Sequence, residues 1–411
     1  MWRIIILCIV TMSIADTNTK VSYEGYKIFS HIPKQNTHLE MVKGMKIDGD
    51  GYRFLRDPSF LFREVFIIVG PENLTDFYEL MSDFNADFEV RSHNVQSLID
   101  ATIPQSPSKF DFESYHTLQE IYDNLDELAT MYPKMVHIVV GGTTFEGREI
   151  KGVKLFSDSE KSGVFLEGGI HGREWISPAT VMYILHQLVT SDDPDVKYIR
   201  ENHNWIIFPV FNPDGYVYSH EKDRLWCKNR NLAQYYPTCF GVDLNRNWDF
   251  RWNKTGWTNN PCDDTYPGYV WFSEVETDSM SKFMSDNIEH FDSYISFRGF
   301  SQRLMFSVGN TDASTLFSDQ LLRLGSIAVE GARKVYGTNY TVGRINNFHR
   351  SSGLSVDYVS GVLRKSIVFM FELRDEGQYG FLLPPDQIIP TANETLNALT
   401  DMFKTLSNGF L

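Results

Sequence analysis

Gly163-Val164-Phe165-Leu166-Glu167-Gly168-Gly169-Ile170-His171-Gly172-Arg173-Glu174-Trp175-Ile176 is the stretch on which the reading of this chain turns. Its first five residues form a short apolar run with the length of a buried strand. Beyond Ser177 and Pro178, residues Ala179 to Val189 carry a helical pattern. His171 and Glu174 therefore stand where a strand ends and a helix approaches, the place where open α/β sheets build their sites. A histidine and a glutamate three residues apart suit two ligands of a zinc ion, which binds imidazole nitrogen and carboxylate oxygen. A catalytic zinc needs a third protein ligand and a water. By themselves these four residues do not distinguish a metal pair from a solvated surface His-x-x-Glu.

Working outward, three further stretches stand in order: Gly241-Val242-Asp243-Leu244-Asn245-Arg246-Asn247-Trp248, Phe371-Glu372-Leu373-Arg374-Asp375 and Tyr379-Gly380-Phe381-Leu382-Leu383-Pro384. Together with His171-x-Arg173-Glu174-Trp175-Ile176 they make the chain from Phe112 to Leu411 resemble the zinc carboxypeptidases of the pancreatic A/B type. The resemblance implies an α/β fold, a mixed eight-stranded sheet with helices on both faces. It also implies a reaction in which zinc-bound water removes one C-terminal amino acid. Strands alternating with helices along this part of the chain agree with that class.

The resemblance assigns roles residue by residue. His171 and Glu174 match two zinc ligands, and Asp243 matches the acid that orients the histidine. Asn245 and Arg246 match the clamp on the substrate's terminal carboxylate, where a planar guanidinium binds bidentately. Arg173 matches a further substrate-side arginine, and Glu372 the general base. Val356, with Met305, Phe348 and Met370, matches the specificity pocket, which is then apolar and suited to an aliphatic or aromatic terminal side chain.

Three positions depart from the family. The third zinc ligand falls in Ser296-Phe297-Arg298-Gly299-Phe300-Ser301-Gln302, where Arg298 replaces histidine. Arginine has no lone pair to give a metal at neutral pH. The oxyanion arginine falls in Arg224-Leu225-Trp226-Cys227-Lys228, where Cys227 replaces it. The tyrosine of the mobile loop falls in Phe348-His349-Arg350-Ser351-Ser352-Gly353, where His349 replaces it. Losing one oxyanion donor alone costs about 100- to 1,000-fold in rate. The expectation is a homologue with weak or absent zinc and impaired catalysis that still binds peptide or protein C-termini. An active zinc enzyme releasing apolar C-terminal residues is the alternative. Arg298 is expected to fill the metal position and pair with Glu174, and also with Glu372. His349 and Cys227 are the two other donors that could complete a metal set.

The 411 residues carry a net charge of −15, so nucleic acid is excluded as a partner, and no apolar run of membrane-spanning length follows the N-terminus. Residues 1–15 read as a signal peptide, with Arg3 before the apolar Ile4 to Val10 and small residues at Ser13-Ile14-Ala15. Secretion fits Asn-x-Thr acceptors at Asn73, Asn253, Asn339 and Asn393. Residues 16–108 resemble the family's propeptide, an α/β unit, and 109–411 the carboxypeptidase-like domain. Within 16–108, Tyr23 to Ile32 and Val65 to Val69 read as strands, and Leu74 to Phe84 and Asn94 to Ile103 as helices. The junction holds one basic residue, Lys109, as a cleavage point. Once Cys8 leaves with the signal peptide three cysteines remain. The resemblance implies a Cys239–Cys262 bridge, worth roughly 3 kcal/mol in the chain-entropy model, and leaves Cys227 free.

Overall fold

The computed structural model describes residues 19–48, 51–104, 110–155, 161–232, 238–307 and 315–409. The signal peptide and Lys109 lie outside them. Two sheets organise these residues. The first is antiparallel, with β1 (Lys27–His31), β2 (Tyr52–Arg56), β3 (Val65–Val69) and β4 (Glu89–Ser92) in the order β2-β3-β1-β4. Helices Asn36–Asp48, Leu74–Asp83 and Val95–Thr102 belong to the same unit.

The second sheet has eight strands: β5 (Val136–Thr143), β6 (Glu149–Leu155), β7 (Gly163–Glu167), β8 (Asn204–Phe208), β9 (Ser293–Arg298), β10 (Arg303–Phe306), β11 (Thr341–Arg344) and β12 (Ile367–Glu372). Their order is β11-β10-β12-β9-β7-β8-β6-β5. The central four, β12-β9-β7-β8, are parallel and buried along their whole length. Continuous apolar runs such as Val164-Phe165-Leu166 and Asn204 to Phe208 follow from burial on both faces. Alternation then sorts the side chains. Val164, Leu166, Phe297 and Phe371 join one core with helices Leu118–Met131, Ile176–Thr190 and Ile388–Ser407. Phe165, Tyr294, Met305 and Met370 join the other with helices Val275–Asp286 and Ser355–Gly361. The helix at Leu118–Met131 begins at Thr117, whose hydroxyl accepts from the Glu120 N–H while the Glu120 carboxylate accepts from the Thr117 N–H.

One expected turn is not there. Gly141-Gly142 reads as a break, yet β5 runs through both to Thr143 with a bulge after Val140. The glycines answer to packing instead. A Cβ at Gly141 would meet Met280 Sδ at 2.1 Å and one at Gly142 would meet Ser279 Oγ at 2.1 Å, both on the helix crossing that strand. The turn falls later, at residues 144–148.

The same argument fixes the loop after β7. A Cβ at Gly172 would lie 2.3 Å from the Gly215 carbonyl oxygen and 3.0 Å from that of Trp226. The Gly172 N–H donates to the Cys227 carbonyl at 3.0 Å. Backbone packed on backbone thus sets the position of His171 and Arg173. Gly172→Ala should cost roughly 1–3 kcal/mol in urea unfolding. Gly44→Ala, in a helix where a Cβ meets nothing within 4 Å, should gain up to about 1 kcal/mol. Equal effects at the two positions would refute this account.

Candidate functional site

The parallel strands β7, β9 and β12 end together, and their last residues are Glu167, Arg298 and Glu372. Register makes these neighbours. Glu372 is paired with Arg298 on one side and with Arg303 on the other. Paired residues in adjacent strands share a face, so a carboxylate stands between two guanidiniums in a row across β10, β12 and β9.

His171 and Glu174 come from the loop after β7. His171 Nδ1 lies 2.7 Å from Glu174 Oε1 and its Nε2 lies 2.8 Å from Asp243 Oδ1. The second Glu174 oxygen accepts from the Gly299 N–H at 3.2 Å. Asp243 is fixed in turn by accepting from the Asn245 N–H at 2.8 Å. Burial disfavours the imidazolium, but the two carboxylates outweigh it and hold the His171 pKa above its ordinary value. Burial also opposes ionisation of Asp243, and His171 with Arg246 overcomes it, keeping that carboxyl well below its ordinary range.

Arg298 is 3% exposed. It does not pair with Glu174 as expected. Its acidic neighbour is Glu167, with Nη2 3.8 Å from Oε1, and its Nε, Nη1 and Nη2 have no hydrogen-bond partner among the described residues. The reason is the strand face: alternation puts Arg298 with Ser296 and Tyr294, and the Tyr294 hydroxyl lies 3.2 Å from the same Glu167 oxygen. Burial raises the Glu167 pKa, with Arg298 the foremost opposing influence.

Glu372 is engaged on both oxygens. Oε1 lies 2.7 Å from His349 Nε2 and Oε2 lies 3.5 Å from Arg303 Nη1. Burial pushes its pKa up, but His349, Arg303 and Arg56 together bring it below the ordinary value. That makes it a weaker proton acceptor. His349 thus bonds Glu372 in this structure. Cys227 is 3% exposed, and burial pushes its thiol pKa well up. It is a neutral group at the position where the resemblance implies an arginine.

Zinc needs three protein ligands. His171 and Glu174, the two expected ligands, face each other, and Arg298 is the residue the resemblance puts at the third position. Among the described residues no group of three His, Cys, Asp or Glu side chains could hold a metal. The donor set present does not fit a catalytic zinc.

Asn245 and Arg246, expected to clamp a terminal carboxylate, stand together on the turn Leu244–Arg246. Asn245 Oδ1 accepts from the Ser355 N–H at 3.1 Å. Arg246 Nη1 donates to the Asn245 carbonyl at 3.0 Å and its Nε has no partner. Arg173 Nη1 bonds Asp264 at 2.8 Å, and its Nε is likewise unpartnered. The apolar pocket residues fall elsewhere: Val356, Met305 and Met370 are packed in the core behind Glu372, and of the four only Phe348 reaches the wall of the cavity. Cys239 and Cys262 form the disulfide, and Cys227 is free.

The N-terminal unit lies over this site. A cavity of about 500 Å³ is walled by Arg53, Arg56 and Arg63 on one side and by His171, Arg246 and Glu372 on the other. The two units share an apolar cluster, Tyr23, Leu55 and Phe66 against Leu225, Phe300 and Phe381. They also share polar ties. The Tyr23 hydroxyl donates to Asp223 at 2.7 Å, Arg53 Nη2 pairs with Asp223 at 3.1 Å, and Lys46, paired within its own unit with Asp57 at 2.8 Å, reaches Asp263 at 3.5 Å.

Sequence reasoning passed over Glu167, Arg303 and the arginines of β2. Arg303 had a legible sign. It stands two residues before Met305, and a strand period of two puts both on one face.

Residues 121–398 match the zinc carboxypeptidase family, and residues 29–102 match the carboxypeptidase activation peptide. Zinc carboxypeptidase A 1 of Anopheles gambiae is 40% identical over 393 residues, covering 94% of this chain and 90% of that protein. The crystal structure of thrombin activatable fibrinolysis inhibitor superposes with a TM-score of 0.86 at 27% identity, covering 94% of this chain and 100% of that one. Carboxypeptidase A from Helicoverpa armigera gives 0.83 at 25% identity, covering 95% and 99%.

The His171 arrangement sets a pH dependence. A raised imidazole pKa stabilises the fold fully below the ordinary value of 6.5, and that contribution is lost as pH rises through the folded-state value. In chelator-treated protein the His171 resonances should titrate with a midpoint above 6.5, and Asp243→Asn should lower it. A wild-type midpoint at or below the ordinary value would refute the triad's electrostatics.

Proposed function

The chain belongs to the zinc carboxypeptidase family, and on that premise we propose that it is a secreted homologue with impaired or absent peptidase activity that binds peptide C-termini. The observation that carries this reading is Arg298, a buried guanidinium in register beside Glu372, at the position the resemblance gives to the third zinc ligand. A cation there repels a second cation and leaves a bound water nothing to be activated by. Cys227 in place of the oxyanion arginine and a Glu372 held between His349 and Arg303 point the same way. The binding function rests on Arg246 and Asn245, which stay in place with the Arg246 Nε unpartnered.

The leader pattern of residues 1–15, the disulfide and the activation-peptide match support a secreted, proenzyme-like chain. Among the described residues no helix is long and apolar enough to cross a membrane. An active zinc carboxypeptidase is the second reading, favoured by the 2.7 Å approach of His171 and Glu174.

Zinc content decides between them. After dialysis against micromolar zinc, the purified chain should hold well under one equivalent by elemental analysis, and Arg298→His should hold about one. A tightly held equivalent in the wild-type protein would overturn the impaired reading.

A further inference from the structure

The charges around the cavity are unevenly matched. Toward the Asp243 side each cation has an acid: Arg173 has Asp264, Arg246 has Asp243 at 3.8 Å, and Lys46 has Asp57. Toward Glu372 the balance fails. Arg56, Arg63 and Arg303 all line the cavity there, and Glu372 is the carboxylate they face. Glu64 also lines it, but its Oε1 is taken by Arg91 at 2.5 Å. Glu372 itself already accepts His349.

Arg303 shares Glu372 at 3.5 Å, and among the described residues Arg56 and Arg63 are held in position without an ion pair of their own. Arg56 lies over the rings of Phe66 and Phe300 and donates to Ser301 Oγ at 2.7 Å. Arg63 donates to the Asn347 carbonyl at 2.6 Å. Arg63 and Arg303 stand 4.9 and 5.2 Å from the Phe348 ring centre. The field of this cluster is felt by its members: burial first and Arg303 next push Arg56 down to about 10. Desolvated like charges of this kind are relieved by an anion.

We propose that this end of the cavity binds a second carboxylate of the ligand, so that the protein selects peptide C-termini with an acidic side chain in one of the last two residues, and that Arg303 is the residue that reads it. Arg303 is the member of the cluster that belongs to the carboxypeptidase-like domain, on the strand edge beside Glu372. This rests on the reading that Arg246 holds the terminal carboxylate, and it gives that reading a ligand class. The apolar residues behind Glu372 do not supply one, because Met305, Val356 and Met370 are closed into the core.

The test uses the full chain, whose cavity of about 500 Å³ has room for a capped dipeptide. N-acetyl-Gly-Glu and N-acetyl-Glu-Gly are titrated calorimetrically at low ionic strength against their Gln isosteres and against all four α-amides. At least one acidic peptide should bind about tenfold more tightly than its Gln isostere. Arg303→Met should remove that difference while keeping the preference for a free α-carboxylate over the amide. Arg303→Lys, which keeps the charge beside Glu372, should retain part of it. Equal affinity for Glu and Gln peptides, with the α-carboxylate preference intact, would overturn the proposal and leave the C-terminal reading standing. No preference for the free α-carboxylate in any peptide would overturn both.

Discussion

Carboxylates gathered at the end of a buried parallel sheet require cations, and this requirement shapes the molecule around residues 167, 174, 243, 298 and 372. In the family the resemblance points to, one divalent ion meets much of that need. Here the charge is met by separate side chains: Arg298 beside Glu167, His171 between Glu174 and Asp243, and His349 with Arg303 on Glu372. Each arrangement is local. An acid bonded to an imidazole and beside a guanidinium keeps its proton affinity low, and an imidazole spanning two acids has its pKa raised.

The covering unit obeys the same rule from the other side. Its strand β2 brings Arg53, Arg56 and, after the turn, Arg63 against the mouth. Arg53 finds a buried acid in Asp223, with Tyr23 sharing it. The apolar cluster running from Phe66 to Phe300 and Phe381 makes the contact between units resemble a continuous core. Desolvation there strengthens every charge interaction in the cavity.

Much of this was legible along the chain. The strand from Gly163 to Glu167, the helix at Leu118–Met131 and the strand at Ile367–Glu372 follow from runs whose length and periodicity admit few readings. The family motifs located His171, Glu174, Asp243, Asn245, Arg246 and Glu372, and the substitutions at 227, 298 and 349 are visible as letters. The short edge strands Glu89–Ser92 and Thr341–Arg344 were not legible, because four residues with mixed exposure carry little periodic pattern. Gly141-Gly142 misled for a related reason: glycine marks a close approach as readily as a turn, and only the crossing helix tells which.

By itself, then, the sequence determined the family and the sheet, and it placed an arginine where the resemblance expects a metal ligand. Tertiary structure decided where that cation points. Arg298 turns to Glu167 and not to Glu174, because strand alternation assigns its face and the parallel register supplies the nearest buried acid. It also decided that Arg303 stands beside Glu372, that Val356 is closed into the core and that three arginines share one carboxylate. Pairing between strands and units far apart in the chain sets these relations, and no local pattern of residues encodes such a pairing.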